Sequence, residues 1–242
     1  MKFLAPLALA ALALVGCSKG SDTPSAPAAP VAAVTAPAGQ NWTETVAQTD
    51  EGFRMGNPDA PVKLVEYGAR LCPACKAFAG EGYQPLIEKY VSTGKVSFEF
   101  RDFLIHGPVE LALAALGRCG GTASFFPILE QSYADQDAFV QKWQAMPPAQ
   151  QQALIGKPPH EIALTYAEQL GAIDYVKQRG IPDAKARACL ADDKQLEAIG
   201  AVTDKAGAAG TVTGTPTLIV NGSKVDGIGW ADVEKALKAA GA

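Results

Sequence analysis

Apolar and polar positions along this chain follow three patterns. Phe3 to Val15 is a continuous apolar run of thirteen residues behind Lys2. It is shorter than the roughly 20 residues a membrane-spanning helix needs. A positive start and a short apolar run read as an export signal. Ser18 to about Gln40 has no pattern that could build a core. It carries Pro24, Pro27, Pro30 and Pro37 among Ala, Ser, Thr and Gly. Such a linker favours extended polyproline II geometry at about 3.1 Å per residue.

Folded structure is expected from about Trp42. Val62 to Tyr67 is nearly continuously apolar, as a central parallel strand should be. A helix opens at Cys72-Pro73. Gly80, Gly82 and Pro85 predict a break or kink in it, with a second helical stretch over Leu86 to Tyr90. Val96 to Phe103 alternates as a second strand. Strand, helix and strand make a βαβ unit, right-handed by the general rule.

From Gly107 to about Ala208 the period turns helical. The spacing predicts helices over Pro108 to Cys119, Ser124 to Tyr133, Ala138 to Met146, Glu161 to Leu170, Ala184 to Leu190 and Lys194 to Ala206. Strands return at Thr215 to Val220 and Ser223 to Val225, around the hairpin signal Asn221-Gly222. An amphipathic helix over Trp230 to Ala240 closes the chain.

Composition then narrows the function. The chain has 242 residues, 48% hydrophobic and 19% charged, with net charge −4. That is ordinary globular composition, enough for one or two domains, and it argues against a nucleic-acid partner. Five Cys and two His cannot supply two structural zinc sites. The apolar run ends in Leu14-Val15-Gly16-Cys17, which resembles a bacterial lipobox. The resemblance implies cleavage before Cys17 and lipid on that residue. By analogy with lipoprotein sorting, Ser18 in place of Asp leans towards the outer membrane. An ordinary secretory signal with a stray Cys is the alternative. Four Cys then remain in an oxidising compartment, a number that suits disulfides.

Cys72-Pro73-Ala74-Cys75 carries the candidate chemistry. Cys72 falls at the helix N-cap, Pro73 at the first helical position and Cys75 one turn inside. The Cys72 thiolate can accept N–H bonds from residues 74 and 75, and the positive helix end lowers its pKa. Cys75 should be shielded and neutral. One attackable and one resolving sulfur suit thiol–disulfide exchange. Zinc binding or a purely structural bridge is the alternative. No second Cys-x-x-Cys or His pair completes a zinc tetrad.

At these residues the sequence resembles the DsbA-like branch of the thioredoxin superfamily. Glu66-Tyr67-Gly68-Ala69-Arg70-Leu71-Cys72-Pro73-Ala74-Cys75 looks like its active-site strand and helix start. Gly214-Thr215-Pro216-Thr217 looks like its cis-proline loop, and a helical block lies between them. The resemblance implies an α/β thioredoxin fold, with a helical domain inserted between the βαβ unit and the C-terminal ββα unit. The expected organisation is a signal peptide over 1–16 and a lipidated Cys17 with linker over 17–41. A thioredoxin-like first part over 42–104, an inserted helical domain over 105–208 and a thioredoxin-like second part over 209–242 follow.

Carried over, Cys72 is the nucleophile and Cys75 the resolving thiol. Pro216 is the cis-proline and Thr215 offers backbone hydrogen bonds to a substrate peptide; a trans proline opening a strand is the alternative. Glu66 matches the family's buried acid, where burial would raise its pKa and let it exchange a proton with Cys75. A solvated strand-end Glu is the alternative. Pro73 and Ala74 tune the redox pair. Strong oxidants of the family carry His where this chain has Ala74, so the Cys72 pKa should stay above the extreme of about 3.5 and the potential below about −120 mV. Cys119 and Cys189 remain for a second, structural disulfide of the kind some relatives carry; two buried thiols is the alternative.

The implied activity is thiol oxidation in exported proteins, recharged by a quinone-linked membrane oxidase, with no cofactor or metal. A reductase or isomerase on the same scaffold is the alternative, and a non-enzymatic thiol- or metal-binding lipoprotein a third. Dimeric isomerases of the superfamily carry an N-terminal dimerisation domain where this chain has linker, so a monomer is expected. The domain would face the periplasm, held on the bilayer through Cys17.

Replacing Cys17 with Ser should release the protein from membranes or block its maturation, read by fractionation and immunoblot. Normal cleavage with unchanged membrane retention would refute acylation at Cys17.

Overall fold

The computed structural model describes residues 29–242. The expected signal peptide over 1–16, the expected lipidation site Cys17 and the linker to residue 28 lie outside the described residues. Six strands follow in chain order: β1 (Val46–Gln48), β2 (Phe53–Met55), β3 (Val62–Gly68), β4 (Val96–Asp102), β5 (Thr217–Val220) and β6 (Ser223–Lys224). Among the described residues they form one sheet in the order β1-β2-β4-β3-β5-β6. Only the central β3–β4 pair is parallel.

The helices are α1 (Pro73–Lys89), α2 (Pro108–Cys119), α3 (Phe125–Ala134), α4 (Gln136–Gln144), α5 (Pro148–Gln152), α6 (Pro159–Leu170), α7 (Ala172–Lys177), α8 (Asp183–Leu190), α9 (Asp193–Ala208) and α10 (Trp230–Ala239). This is the thioredoxin fold with helices intervening between β4 and β5.

Two cores result. One lies on a face of the sheet. Leu64, Phe98, Phe100 and Leu218 meet Phe78 and Leu86 of α1, Phe125 and Leu129 of α3, and Val233 of α10. The other lies among the helices, around Leu113, Leu116, Phe139, Leu170 and Ile199. The opposite sheet face, at Tyr67 and Phe103, is covered by Val202 and Ala206 of α9.

The structure departs from the pattern in four places. First, α1 runs unbroken through Gly80, Gly82 and Pro85. A proline in a helix interior costs about 3 kcal/mol. Burying Phe78, Tyr83 and Leu86 on the same helix returns about 1.5–3 kcal/mol each, so packing wins. Gly82 has its own use: a Cβ there would lie 3.1 Å from both Phe78 and Trp230, so its absence lets α10 approach. Second, β1 and β2 lie where no strands are expected. Three residues are too few for an alternation, yet β2 is drawn onto β4, and Phe53 stacks on Phe125 at 4.0 Å between ring centroids. Third, α5 and α7 are short helices that the periodicity does not reveal. Fourth, the end of the linker is docked. The Val31 and Val34 amides donate to Gly241 O and Thr93 O at 2.7 and 2.9 Å, and the Trp42 indole donates to Val34 O at 2.7 Å. Val31 packs against the sheet core.

A buried ion cluster joins the end of β4 to the helices. Asp102 accepts from Arg70 Nε at 2.7 Å and from Arg118 Nε at 3.0 Å. Gly117 makes room for this: a Cβ there would meet the Arg70 guanidinium at 2.4 Å. Burial acts to raise the Asp102 pKa, but Arg70 and Arg118 overcome it and hold the carboxyl below its usual 3.8.

Asp102→Asn should therefore destabilise the fold by about 3–5 kcal/mol, because two buried guanidinium groups lose their counter-charge. The Asp102 contribution is present above the ordinary carboxylate pKa and is lost as pH falls through the lowered one. Urea unfolding at neutral pH checks this, and an unchanged midpoint would overturn it.

Candidate active site

β3 leaves the sheet at Gly68 and turns through Ala69, Arg70 and Leu71 into α1. The Cys72 amide closes the turn on Ala69 O at 3.1 Å. Cys72 is the N-cap, with extended backbone (φ −81°, ψ 119°), and Pro73 follows at N1. Proline suits that position because its missing N–H would have no helical partner and its φ is preset. Cys75 thus lies one turn inside, at N3.

Cys72 and Cys75 are both free thiols. Cys72 keeps 4% of its surface exposed and Cys75 none. The Thr215–Pro216 peptide bond is cis, and Thr215 O accepts the Cys72 thiol at 3.3 Å across a sequence separation of 143. Thr215 therefore touches the candidate nucleophile itself. Beside it, Thr213, Pro216, Lys224, Val225 and exposed Ile228 line a cleft of about 260 Å³.

Cys72 is pulled down to a pKa of about 5. The largest cause is the hydrogen bond from the Cys75 thiol. Burial opposes it, and Thr215 and then the Cys75 and Ala74 amides add to the lowering. The two helix-start amides expected to act thus do contribute, but behind the Cys75 thiol and Thr215, and the Cys72 side chain makes no capping bond in the dithiol. In the dithiol its S–H points across to the cis-proline loop instead. Cys75 moves the opposite way. Burial first, then the neighbouring Cys72 and Glu66, hold its proton far above the usual thiol range, while the Ala69 amide, 3.4 Å from its sulfur, opposes them.

Glu66 on β3 is fully buried rather than solvated. Burial pushes its pKa up to about 8, against the Tyr83 hydroxyl, which donates to it at 2.8 Å; the Cys72 charge raises it slightly further. Residue 83 lies two turns along α1 from Cys75, so helical spacing could have marked Tyr83 as sharing its face.

Other neighbours have no local signal. Leu71 N–H donates to Glu110 Oε1 of α2 at 3.0 Å. Gln136 of α4 donates to Arg70 O and Cys72 O at 3.1 and 3.0 Å. The Glu110 carboxylate also takes the His106 backbone N–H at 2.9 Å and lies 3.0 Å from its ring Nδ1, so His106 acts on that carboxylate and not on the thiols. His160 is at the surface, beside Asp193. Phe125, Phe126 and Leu129 are core, not groove. Cys119 and Cys189 are joined in a disulfide within the helical block. Pro73 and Ala74 stand between the two thiols, and Ala74 packs against the sheet core.

This arrangement can be compared with known proteins. A family model described as thioredoxin matches residues 48–239. The chain belongs to this thioredoxin family. It is similar to a Rickettsia felis protein with the provisional name protein-disulfide oxidoreductase. The two are 30% identical over 199 residues, covering 78% of this chain and 61% of that protein. A solved Novosphingobium aromaticivorans structure described as a protein-disulfide isomerase matches with a TM-score of 0.71 and 25% identity, over 76% of this chain and 94% of that one. Wolbachia pipientis alpha-DsbA1 shares the fold, with a TM-score of 0.57 and 20% identity over 76% and 87% of the two chains. The chain spans 61–62% of the length of the first curated relatives it matches. The DsbA-like form of the thioredoxin fold expected from the two motifs is the fold observed.

A carboxyl that is protonated when folded and ionised when unfolded makes stability fall as pH rises. For Glu66 the window runs from the ordinary 4.5 to about 8. The slope within it reaches at most about 1.4 kcal/mol per pH unit. Glu66→Gln should remove that slope, so the variant gains most over the parent near pH 8. Urea unfolding of the reduced protein from pH 5 to 8 tests this. Parallel profiles would show that Glu66 does not titrate in the fold.

Proposed function

We propose that this chain is a thiol:disulfide oxidoreductase of the DsbA type that oxidises cysteines of exported proteins. The observation that carries the reading is the opposite bias of the two thiols. Cys72 is lowered to about 5 and Cys75 holds its proton. A low-pKa thiolate is a good leaving group and stabilises the reduced enzyme, which makes the disulfide form an oxidant.

The reaction starts from the Cys72–Cys75 disulfide. A substrate thiolate attacks Cys72 Sγ, the Cys72–Cys75 bond breaks, and Cys75 takes a proton supplied by Glu66. The mixed disulfide lies along the cis-proline loop, with Thr215 and Pro216 aligning the peptide in the adjoining cleft. A second substrate thiolate attacks the substrate sulfur of that bond and expels Cys72 as a thiolate. The substrate gains one disulfide and the enzyme two electrons. A membrane partner, a quinone-linked oxidase by family resemblance, accepts those electrons and restores the disulfide.

Lipid on Cys17 tethers the domain to a bacterial membrane, the outer one by the lipobox analogy, facing the periplasm. Among the described residues no helix is long and apolar enough to cross a membrane. The working division is leader 1–16, lipidated linker 17–41, and an oxidoreductase unit split as 42–104 and 209–242 around helices 105–208. The unit works as a monomer.

A second reading, disulfide isomerase or reductase, is favoured by the Novosphingobium neighbour described as an isomerase. The equilibrium potential against glutathione separates the two. An oxidase should lie nearer the roughly −120 mV of strong oxidants than the roughly −270 mV of thioredoxin.

Cys72→Ser should abolish turnover, and Cys75→Ser should accumulate mixed disulfides with partners attached at Cys72, identified by mass spectrometry. Attachment mainly at Cys119 or Cys189 would refute the assignment.

A further inference from the structure

The backbone of the turn before Cys72 is buried, and its polar groups need partners. Ala69 O takes the Cys72 amide and Cys72 O takes the Lys76 amide, both at 3.1 Å. Leu71 N–H goes to Glu110. Arg70 O and the second lone pair of Cys72 O both receive Gln136 Nε2. Gln136 itself is 1% exposed and is the first residue of α4. Its orientation follows from chemistry. Two carbonyls aimed at one point require a nitrogen carrying two hydrogens, which the side-chain amide supplies and a carboxylate does not. The next residue reinforces the contact: Asp137 pairs with Lys76 of α1 at 2.9 Å. The start of α4 thus grips the start of α1 through one buried amide and one surface ion pair.

We propose that Gln136 is a positioning residue for the exchange chemistry at Cys72, the link through which the helical block holds the Arg70–Cys72 carbonyls in place. The inference deepens the reading of Cys72 as the attacking thiol and rests on it. Gln136 touches the backbone only. It ties Arg70 O, and together with the Lys76 amide Cys72 O, to the start of α4. The turn so held carries Cys72 Sγ beside the groups that favour its thiolate. These are the Cys75 thiol and the helix-start amides on α1, and Thr215 on the cis-proline loop. Glu66 on β3 acts through Cys75 behind them. Without the amide, Arg70 O is buried without a partner and its peptide turns to find one. The sulfur then moves off its donors, and the reduced enzyme loses thiolate stabilisation that the disulfide form never had.

A residue that only holds the fold together would lower the stability of both redox forms alike. A positioning residue lowers the reduced form more, and the difference appears in the potential. Gln136→Met keeps the volume and removes both donors. In the full-length protein it should raise the Cys72 titration, followed by thiolate absorbance, by about one unit. At neutral pH the glutathione equilibrium should shift about tenfold towards the oxidised protein. Urea unfolding should show a larger loss in the reduced form than in the oxidised form. Gln136→Asn keeps the amide but is one methylene short, and should shift both readings in the same direction. It serves as the test if the Met variant does not fold. Equal stability losses in both redox forms, with an unmoved Cys72 titration and equilibrium, would overturn the proposal. Failure of the Cys72 assignment would be seen separately, as trapped partners attached to another cysteine.

Discussion

The turn from β3 into α1 is the constraint on which the site depends. It lies at the seam of two cores: Leu71 is packed into the helical core, and Cys72 and Cys75 into the sheet core. Its backbone groups have left water, and each would cost about 1–3 kcal/mol if unpaired. The partners come from helices distant in the sequence, Glu110 on α2 and Gln136 on α4, and from Cys75 on α1 itself. The helical block therefore supplies hydrogen-bond partners to the turn that carries the thiols.

The same seam sorts charge. Asp102 and Glu66 sit on neighbouring strands, β4 and β3, and both are buried. Asp102 faces two guanidinium groups and is held ionised. Glu66 faces a tyrosine hydroxyl and a thiol, and burial keeps its proton on. The thiols divide in the same manner: one has donors around it, the other is buried beside acidic neighbours. A pair so divided can release one sulfur as thiolate while the other receives a proton, and exchange needs both events in one turnover.

Much of this was legible from local sequence. The long strands β3 and β4, the helix from Pro108 to Cys119, the Asn221-Gly222 hairpin and the closing helix follow from period and turn chemistry, to within a residue or two at their ends. Cys-x-x-Cys after a buried strand, with Thr215-Pro216 far downstream, pointed to the right fold family, because each motif is set by its immediate neighbours in the chain.

Tertiary structure decided what depends on distant partners. Whether Pro85 breaks α1 depends on what that helix buries. Whether three residues near Phe53 form a strand depends on β4 being beside them. Whether Val31 and Val34 are linker or docked segment depends on Gly241 and Thr93. Cys72 provides the clearest case. Its place at a helix start is written in four consecutive residues. Its thiol, however, donates to Thr215 O, 143 positions away, and its own carbonyl accepts from Gln136, 64 positions away. Sequence determines what a residue can donate, accept or bury through its own chemistry and that of its neighbours. Only the folded chain brings in the distant groups that complete a buried hydrogen bond, because leaving such a group unpaired in a packed interior costs more than the local preference for any one conformation.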